Sequence, residues 1–435
     1  MTGGKSLSKH MKPYKTTYSF PSPRVEAERT ENLAYWQSPL TAILFAFLIL
    51  ASSFAQATTT DEEEIVERDV QFSVPAEIAD LQRTTADLKG YSFLAGASLY
   101  SGNDNNVHRS PDNLDSSSNT LGNWFYLRSD KRFGKNVQLI NSLTWKHRSY
   151  ADASAANLSR LYLSNWLDMR LSSHLKLALD FDVIDENDNA TQITGRPYTR
   201  DYSYRRYSGD AMLTWSPGGP HRFQLGGETV RRDYGEIVGL NSIDWTSRGG
   251  TIRYRLRLAP YHYVKVWYTV GEKEYSDEPS SIANTEIDAP NSPMEKHRYR
   301  ELRLAWEVPA TKWMDASMEY FHRSKTDLYQ GAESWDGNVW QAWIGIEASK
   351  RLEFTTEVGY FTQRFDQVRG DNNLPLETKR WDLQAGARFA LTRSVRLFAS
   401  TNYFERTSTR ESGSVYRDYS GFSTAFGISF FFLTK

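Results

Sequence analysis

Residues 251–258, TIRYRLRL, alternate strictly between polar and apolar side chains. In an extended chain the two kinds lie on opposite faces. The apolar face carries Ile252, Tyr254, Leu256 and Leu258, and the polar face carries Thr251, Arg253, Arg255 and Arg257. A period of two indicates a β-strand with one apolar and one polar face. The alternation begins near residue 91 and continues to the end of the chain, with clear examples at 175–183, 301–308 and 352–361. We therefore predict an all-β fold over residues 91–435.

The connections between the predicted strands come in two lengths. Seven are short turns, at 134–136, 172–174, 217–219, 259–260, 310–312, 349–351 and 392–394. Eight are longer polar stretches, at 101–120, 150–157, 186–203, 233–243, 276–297, 328–336, 365–378 and 408–416. Short and long connections alternate, as periplasmic turns and extracellular loops do in outer-membrane barrels. The pattern predicts a transmembrane antiparallel up-and-down β-barrel of about 16 strands (14–18), each about 11–14 residues long.

The composition excludes several other classes of protein. The chain has 435 residues, with 52 Lys and Arg against 53 Asp and Glu, and it contains no cysteine. The lack of cysteine excludes a disulfide scaffold, thiolate metal sites and cysteine catalysis. The mean hydropathy of −0.60 is too low for a bundle of membrane-spanning helices, although 25 Tyr, 22 Phe and 13 Trp make the chain rich in aromatic residues. A net charge of −1 gives no overall attraction to nucleic acid.

The beginning of the chain carries an export signal. Residues 40–54 are apolar, basic residues precede them, and Ala55-Gln56-Ala57 follows them as a small-x-small cleavage site. We predict a signal peptide with a long n-region over residues 1–57, cleaved after Ala57. A start placed upstream of the true one would also explain the long lead-in, and a retained single-span anchor is the alternative.

Residues 58–90 separate the predicted signal from the first strand. The segment begins with an acidic run, and Ile78, Leu81 and Leu88 share one helical face after Pro75. We predict an acidic, partly helical segment that lies in the periplasm or in the barrel mouth as a plug. A plain linker is the alternative.

Aromatic residues cluster towards the predicted strand ends, where the interfacial girdles of membrane barrels lie. Those assigned to the girdles are Trp145, Tyr162, Trp166, Trp215, Tyr254, Trp267, Trp306, Trp313, Trp381 and Tyr403. The last predicted strand, 419–432, has an apolar face of Phe422, Phe426, Ile428, Phe430 and Phe432 and an opposite face of small residues. This strand resembles the C-terminal signal that the outer-membrane assembly machinery reads, although three residues follow its last phenylalanine.

A short motif follows the first predicted strand. Residues 101–111 read SGNDNNVHRSP, and this stretch resembles the D-N-V-x-R-S-P opening of a family of outer-membrane β-barrel porins of Gram-negative bacteria. Some members of that family are encoded beside exopolysaccharide gene clusters. The resemblance implies an outer-membrane channel and carries over no catalytic residue.

The polar face of the predicted strands would line the barrel lumen. The pore-lining candidates are Arg253, Arg255, Arg257, Lys265, Glu228, Arg303, Glu301, Asp180, Asp182 and Arg388. Arg253, Arg255 and Arg257 form a ladder with a spacing of about 7 Å. The ladder could attract anions at a constriction, or it could pair across strands with acids such as Glu228 and only stiffen the wall. We expect the second arrangement, with an excess of basic lumen residues that favours anions weakly.

These features predict a passive outer-membrane channel for small hydrophilic solutes, anionic ones or saccharides among them. An export conduit for a surface polysaccharide and a structural or assembly barrel with a sealed lumen are the alternatives. We expect no enzyme activity, cofactor or metal, because His108, His147, His297 and His322, the histidines expected near the outer rim, match no hydrolase or metal spacing. The expected partners are outer-membrane lipid and lipopolysaccharide, the assembly machinery and a polysaccharide, with no nucleic acid.

Overall fold

A computed structural model describes residues 91–105, 117–153, 157–188, 203–234, 243–259, 262–279, 294–308, 313–329, 334–370, 373–409 and 418–434. These residues form sixteen antiparallel strands, which close into one barrel. The strands are β1 (Tyr91–Asp104), β2 (Ser118–Phe133), β3 (Val137–Tyr150), β4 (Leu158–Arg170), β5 (Leu175–Asp188), β6 (Tyr204–Trp215), β7 (His221–Tyr234), β8 (Trp245–Ala259), β9 (His262–Pro279), β10 (Met294–Val308), β11 (Met314–Asp327), β12 (Trp335–Glu347), β13 (Leu352–Arg369), β14 (Pro375–Ala390), β15 (Val395–Ser408) and β16 (Tyr419–Thr434).

The strand order is the simplest one that a barrel can have. Each strand pairs with the next strand in the chain, and β1 closes the barrel by pairing with β16. The closing register runs from Phe93 opposite Thr434 to Asp104 opposite Ser423. Closure leaves no free sheet edge that could recruit another chain. The predicted fold class and the predicted number of strands are confirmed.

All seven predicted short turns fall between consecutive strands, although the turn at 310–312 and Pro260 of the turn at 259–260 lie outside the described residues. The first of them contains Gly134, which has a φ of 66°. Residues with a Cβ atom rarely adopt this left-handed conformation, so glycine permits the tight reversal between β2 and β3. We call this end of the barrel the short-turn end and the opposite one the long-connection end.

The strands extend further into the long connections than predicted. Their lengths range from 12 residues in β6 to 18 in β9 and β13, and the predicted connections 101–120, 276–297 and 365–378 are each partly strand. At this end the outward positions become polar, as at Lys296, Asp336 and Asp366, so the apolar outward face that marks a strand in the sequence disappears although the backbone pairing continues. The predicted strand length was therefore too short.

The two faces of the barrel wall differ in chemistry. Interior-facing side chains of β1, β2 and β16 are buried and pack against one another, namely Leu94, Trp124, Tyr126 and Phe431. Outward-facing side chains are apolar and exposed, as Leu302, Leu304 and Trp306 show on β10 at 42, 42 and 46% exposure. Such an outward apolar band is typical of a barrel that meets lipid.

The outward face of β16 is apolar as predicted. Phe422, Phe426, Phe430 and Phe432 are exposed there, while Gly427 and Ser429 on the interior face are buried. Ser429 shares a hydrogen bond of 3.1 Å with Ser98 of β1 across the closing seam. Small residues thus let the two terminal strands and their neighbours pack closely on the inside.

Seven of the ten predicted girdle aromatics are on the outer surface. Exposed among them are Trp145, Trp215, Trp306, Trp313, Trp381 and Tyr403, and Tyr254 packs against the outward Phe223. The prediction was wrong for Tyr162, Trp166 and Trp267, which lie on the interior face opposite Thr144, Asp180 and Arg253. Their position near a strand end suggested a girdle, but their parity along the strand places them inside.

Two predicted segments, the signal peptide over 1–57 and the segment 58–90, lie outside the described residues. The motif at 101–111 is described only through Asn105. No helix among the described parts of the chain is long and apolar enough to cross a membrane.

Candidate functional site on the interior wall

The structure places all ten predicted pore-lining candidates on the interior face of the wall. Nine of them lie in the sector from β5 to β10, and Arg388 lies apart on β14. On β8, the three ladder arginines alternate with the outward Ile252 and Leu258, which are 58 and 60% exposed. The alternation read from the sequence therefore assigned these residues to the correct face.

Basic side chains form a row across three strands near the short-turn end. Arg222 of β7 lies directly opposite Arg255 of β8, and Arg255 lies directly opposite Lys265 of β9. Like charges that face each other across a sheet repel. The sequence also predicts an inward position for Arg222, whose parity on β7, two residues from Gln224, marks it as an interior residue.

The expected pairing of the ladder with acidic neighbours is wrong. Within the described ranges, no carboxylate lies within 4 Å of the guanidinium groups of Arg253, Arg255 or Arg257. Glu228 instead lies opposite Asp210 and Gly249, and Arg253 lies opposite Gln224 and Trp267. Asp210, Glu228 and Glu301 are close enough to Arg253 only for longer-range electrostatic interactions. The register between strands separates Arg253 from Glu228, and this register cannot be read from the sequence of a single strand.

Aromatic rings support the cations of this wall. The Arg255 guanidinium lies 4.7 Å from the ring centroid of Tyr263. Arg303 lies 5.7 Å from the Trp267 ring and 4.6 Å from the Phe321 ring. A cation over an aromatic face is attracted by the ring quadrupole and keeps its charge. These contacts hold the side chains against the wall without neutralising them.

Charges further along the wall are paired. Lys265 forms an ion pair with Glu307 of β10. Glu301 accepts a hydrogen bond of 2.9 Å from Nε of Arg323 and lies 3.2 Å from Nη2 of Arg303. Arg388 lies 3.7 Å from Glu353. The interior of β10, β11 and β14 is therefore closer to electrical balance than the row on β7 and β8.

A sector of acidic side chains lies beside the basic one. Asp180 of β5 is opposite Asp210 of β6, which is opposite Glu228 of β7, and Asp182 lies two residues along β5. The Ser164 hydroxyl donates a hydrogen bond of 3.4 Å to Asp180. The interior wall is thus divided into an acidic sector on β5–β7 and a basic sector on β7–β9.

Towards the long-connection end the interior face is densely packed. Arg232 is 1% exposed, and its guanidinium lies 4.1 Å from the Tyr204 ring and 5.2 Å from the Trp245 ring. The Lys273 ammonium lies 4.4 Å from the same Trp245 ring, and His297 beside it is fully buried. Of the ladder arginines, by contrast, Arg253 and Arg255 are partly exposed and Arg257 is exposed. The wall around the ladder is therefore more accessible than the wall around Arg232 and His297.

The histidines are dispersed over the barrel. His147 and His322 lie on the outward face, where His147 stacks beside Trp145 and His322 bonds to Asn338 at 3.1 Å. His297 is on the interior face, where its ring contacts the carboxylate of Glu295, and His108 lies outside the described residues. In the part of the chain that the structure covers, no group of three or more His, Asp or Glu residues is placed to hold a metal ion.

Comparison with known proteins identifies only a general likeness. No family model and no curated protein matches the chain. Among solved structures, OccAB1 of Acinetobacter baumannii is 9% identical, with a TM-score of 0.46 over 81% of this chain and 99% of the other. An anion-selective porin from Comamonas acidovorans is 10% identical, with a TM-score of 0.43 over 79 and 99%. A bacterial polysaccharide outer-membrane secretin is 10% identical, with a TM-score of 0.41 over 78 and 98%. All three identities are below 25% and all three TM-scores are below 0.5, so none of these likenesses supports a function for this chain.

Proposed function

We propose that this chain forms a passive channel in the outer membrane of a Gram-negative bacterium and carries small hydrophilic solutes, with a preference for anions. The outward apolar band supports the membrane location. A barrel of 16 strands is wide enough to leave an aqueous channel, whereas side chains fill a barrel of eight. The signal peptide predicted over residues 1–57 would direct export to this compartment.

The observation that carries the anion preference is the row of cations on β7 and β8. Arg222, Arg253 and Arg255 have no carboxylate within 4 Å among the residues that the structure describes. Their charge is therefore available to a passing solute. They are partly exposed on the interior face, where a hydrated anion would come close to them. Rings of basic side chains favour anions in pores by the same electrostatics.

Replacing two of these arginines tests the assignment. In the double variant Arg253→Gln, Arg255→Gln, we expect the anion-to-cation permeability ratio to fall about fivefold, which corresponds to about 1 kcal/mol of Coulomb energy at 4 Å in water. The measurement is the reversal potential across a planar bilayer under a KCl gradient at low ionic strength, where screening is weakest.

The matched control carries the same charge change on the outside of the barrel. Arg205 and Arg231 are exposed outward-facing residues that pair with Asp185 and Asp233. The variant Arg205→Gln, Arg231→Gln is expected to keep the permeability ratio of the unsubstituted protein. An unchanged ratio in the Arg253, Arg255 variant, or an equal fall in the control, would contradict the assignment. Heat-modifiable migration on a gel confirms that each variant is folded.

A further inference from the structure

The outward face of β10 changes from apolar to basic within two residues. From the short-turn end, its outward positions read Val308, Trp306, Leu304, Leu302, Arg300, Arg298 and Lys296. The apolar part belongs to the band that would meet the hydrocarbon of a bilayer. The three cations follow it directly on the side of the long connections, so they lie where lipid headgroups would begin.

A fourth cation and a carboxylate organise this surface. Arg248 of β8 lies directly opposite Glu272 of β9, and Glu272 lies directly opposite Arg298. Glu272 accepts hydrogen bonds from Arg298, at 2.6 Å from Nη2 and 3.1 Å from Nε, and its other oxygen lies 3.1 Å from Nζ of Lys296. The carboxylate thus holds two cations side by side.

Arg300 is the cation nearest to the apolar band. It is exposed, and its direct neighbours on the adjacent strands are Val270 and Ser324. No carboxylate within the described ranges lies within 4 Å of its guanidinium group. Among the outward side chains of β8, β9 and β10 that the structure describes, two carboxylates, Glu272 and Glu274, accompany four cations, so an excess of positive charge remains at the membrane edge.

We propose that Arg248, Lys296, Arg298 and Arg300, which we call the rim cluster, bind the phosphate groups of outer-leaflet lipopolysaccharide. Arginine presents a planar fork of donors that matches phosphate oxygens in pairs. A lipid is the source of the phosphate because the cluster faces away from the lumen and continues the outward face that Leu302 and Leu304 occupy. This site rests on the proposed outer-membrane location and extends it to a defined lipid contact.

Native mass spectrometry tests the rim cluster. The full chain in detergent micelles is titrated with bisphosphoryl lipid A, and the fraction of protein that carries lipid is measured. In the variant Arg298→Gln, Arg300→Gln, we expect the affinity for lipid A to fall about tenfold or more, because two charge-assisted contacts are lost. The variant Arg300→Lys keeps the charge but not the fork, and we expect it to retain an intermediate affinity.

A control variant places the same charge loss elsewhere on the outer rim. Arg364 of β13 and Lys379 of β14 are exposed and outward-facing, and Arg364 lies 3.9 Å from Glu377. The variant Arg364→Gln, Lys379→Gln is expected to bind lipid A as the unsubstituted protein does. An equal loss of lipid A affinity in both double variants would indicate non-specific attraction and would overturn the proposal. Full affinity in a folded Arg298→Gln, Arg300→Gln variant would also overturn it.

Two further measurements are needed. One distinguishes a lipid from free phosphate as the ligand, and the other distinguishes the lipid site from the proposed channel. Inorganic phosphate at the lipid's concentration is expected to leave the bound lipid in place, and displacement would overturn the lipid assignment. The reversal potential of the Arg298→Gln, Arg300→Gln variant is expected to equal that of the unsubstituted protein. A channel that fails to conduct would therefore leave the lipid measurement intact, and a failed lipid measurement would leave the channel intact.

Discussion

At Gly427 the interior wall has no room for a side chain. A Cβ atom at this position would lie 2.4 Å from Cζ of Phe398 and 2.5 Å from the carbonyl oxygen of Leu99. The first neighbour is a ring that could shift, but the second belongs to the backbone of β1 at the closing seam. Glycine is therefore needed here for the close approach of β15, β16 and β1.

Replacing this glycine is expected to weaken the barrel. Gly427→Ala should lower the free energy of unfolding by about 1–3 kcal/mol, the usual cost of overpacking. Denaturant titration of the folded barrel in lipid vesicles measures the change. The control Gly209→Ala meets only one atom at 3.9 Å, and it should leave stability unchanged or raise it by up to about 1 kcal/mol. Equal stability of the two variants would refute the close approach.

Which face a residue occupies could be read from the sequence, but its partners could not. Counting along β8 placed Arg253, Arg255 and Arg257 inside, and the same counting would have placed Trp267 inside. The neighbour of each arginine depends on the stagger between β7, β8 and β9. Because that stagger arises from the tilt of strands in a closed barrel, the expected pairing with Glu228 could not be checked from one strand alone.

At the scale of the element, β10 has an apolar outward segment and a basic outward segment, which the proposed membrane location places within and beyond the bilayer. Leu304 lies in the middle of its outward apolar part. Leu304→Arg is expected to lower the free energy of unfolding by about 2–4 kcal/mol, because a charge at the bilayer midplane is poorly solvated. Thr326→Arg on β11, an exposed position at the long-connection end, should cost about 0–1 kcal/mol. Unfolding in vesicles measures both, and similar costs would contradict the depth assigned to β10.

The ends of the strands show where sequence patterning stops. Both faces of β10 are polar at its start, with Glu295 and His297 inside and Lys296 and Arg298 outside. Alternation is visible only where one face meets lipid and the other meets water. The connection predicted at 276–297 therefore included residues that belong to a strand. The short turns were predicted accurately because the apolar band extends almost to them.

At the scale of the whole molecule, the sixteen strands follow from the alternation of short and long connections. Nearest-neighbour pairing throughout and closure by β1 and β16 require no crossover, so counting turns is sufficient to count strands. The division of the interior into acidic and basic sectors could not be predicted in this way, since it depends on the registers of β5 to β9. That division is the basis of the proposed anion preference.

Polysaccharide export and a sealed structural barrel stay alternative hypotheses. An export conduit would also need a wide polar lumen, whereas a sealed barrel would conduct no ions. The open or closed state of the barrel therefore decides between the proposed channel and the sealed form.

The most direct measurement is the single-channel conductance of the purified protein in a planar bilayer under a salt gradient. We predict large, stable conductance steps and a reversal potential that is shifted towards the equilibrium potential of the anion. A correctly folded, heat-modifiable barrel that shows no conductance would contradict the open channel. Conductance that favours cations would contradict the role of the basic row on β7 and β8.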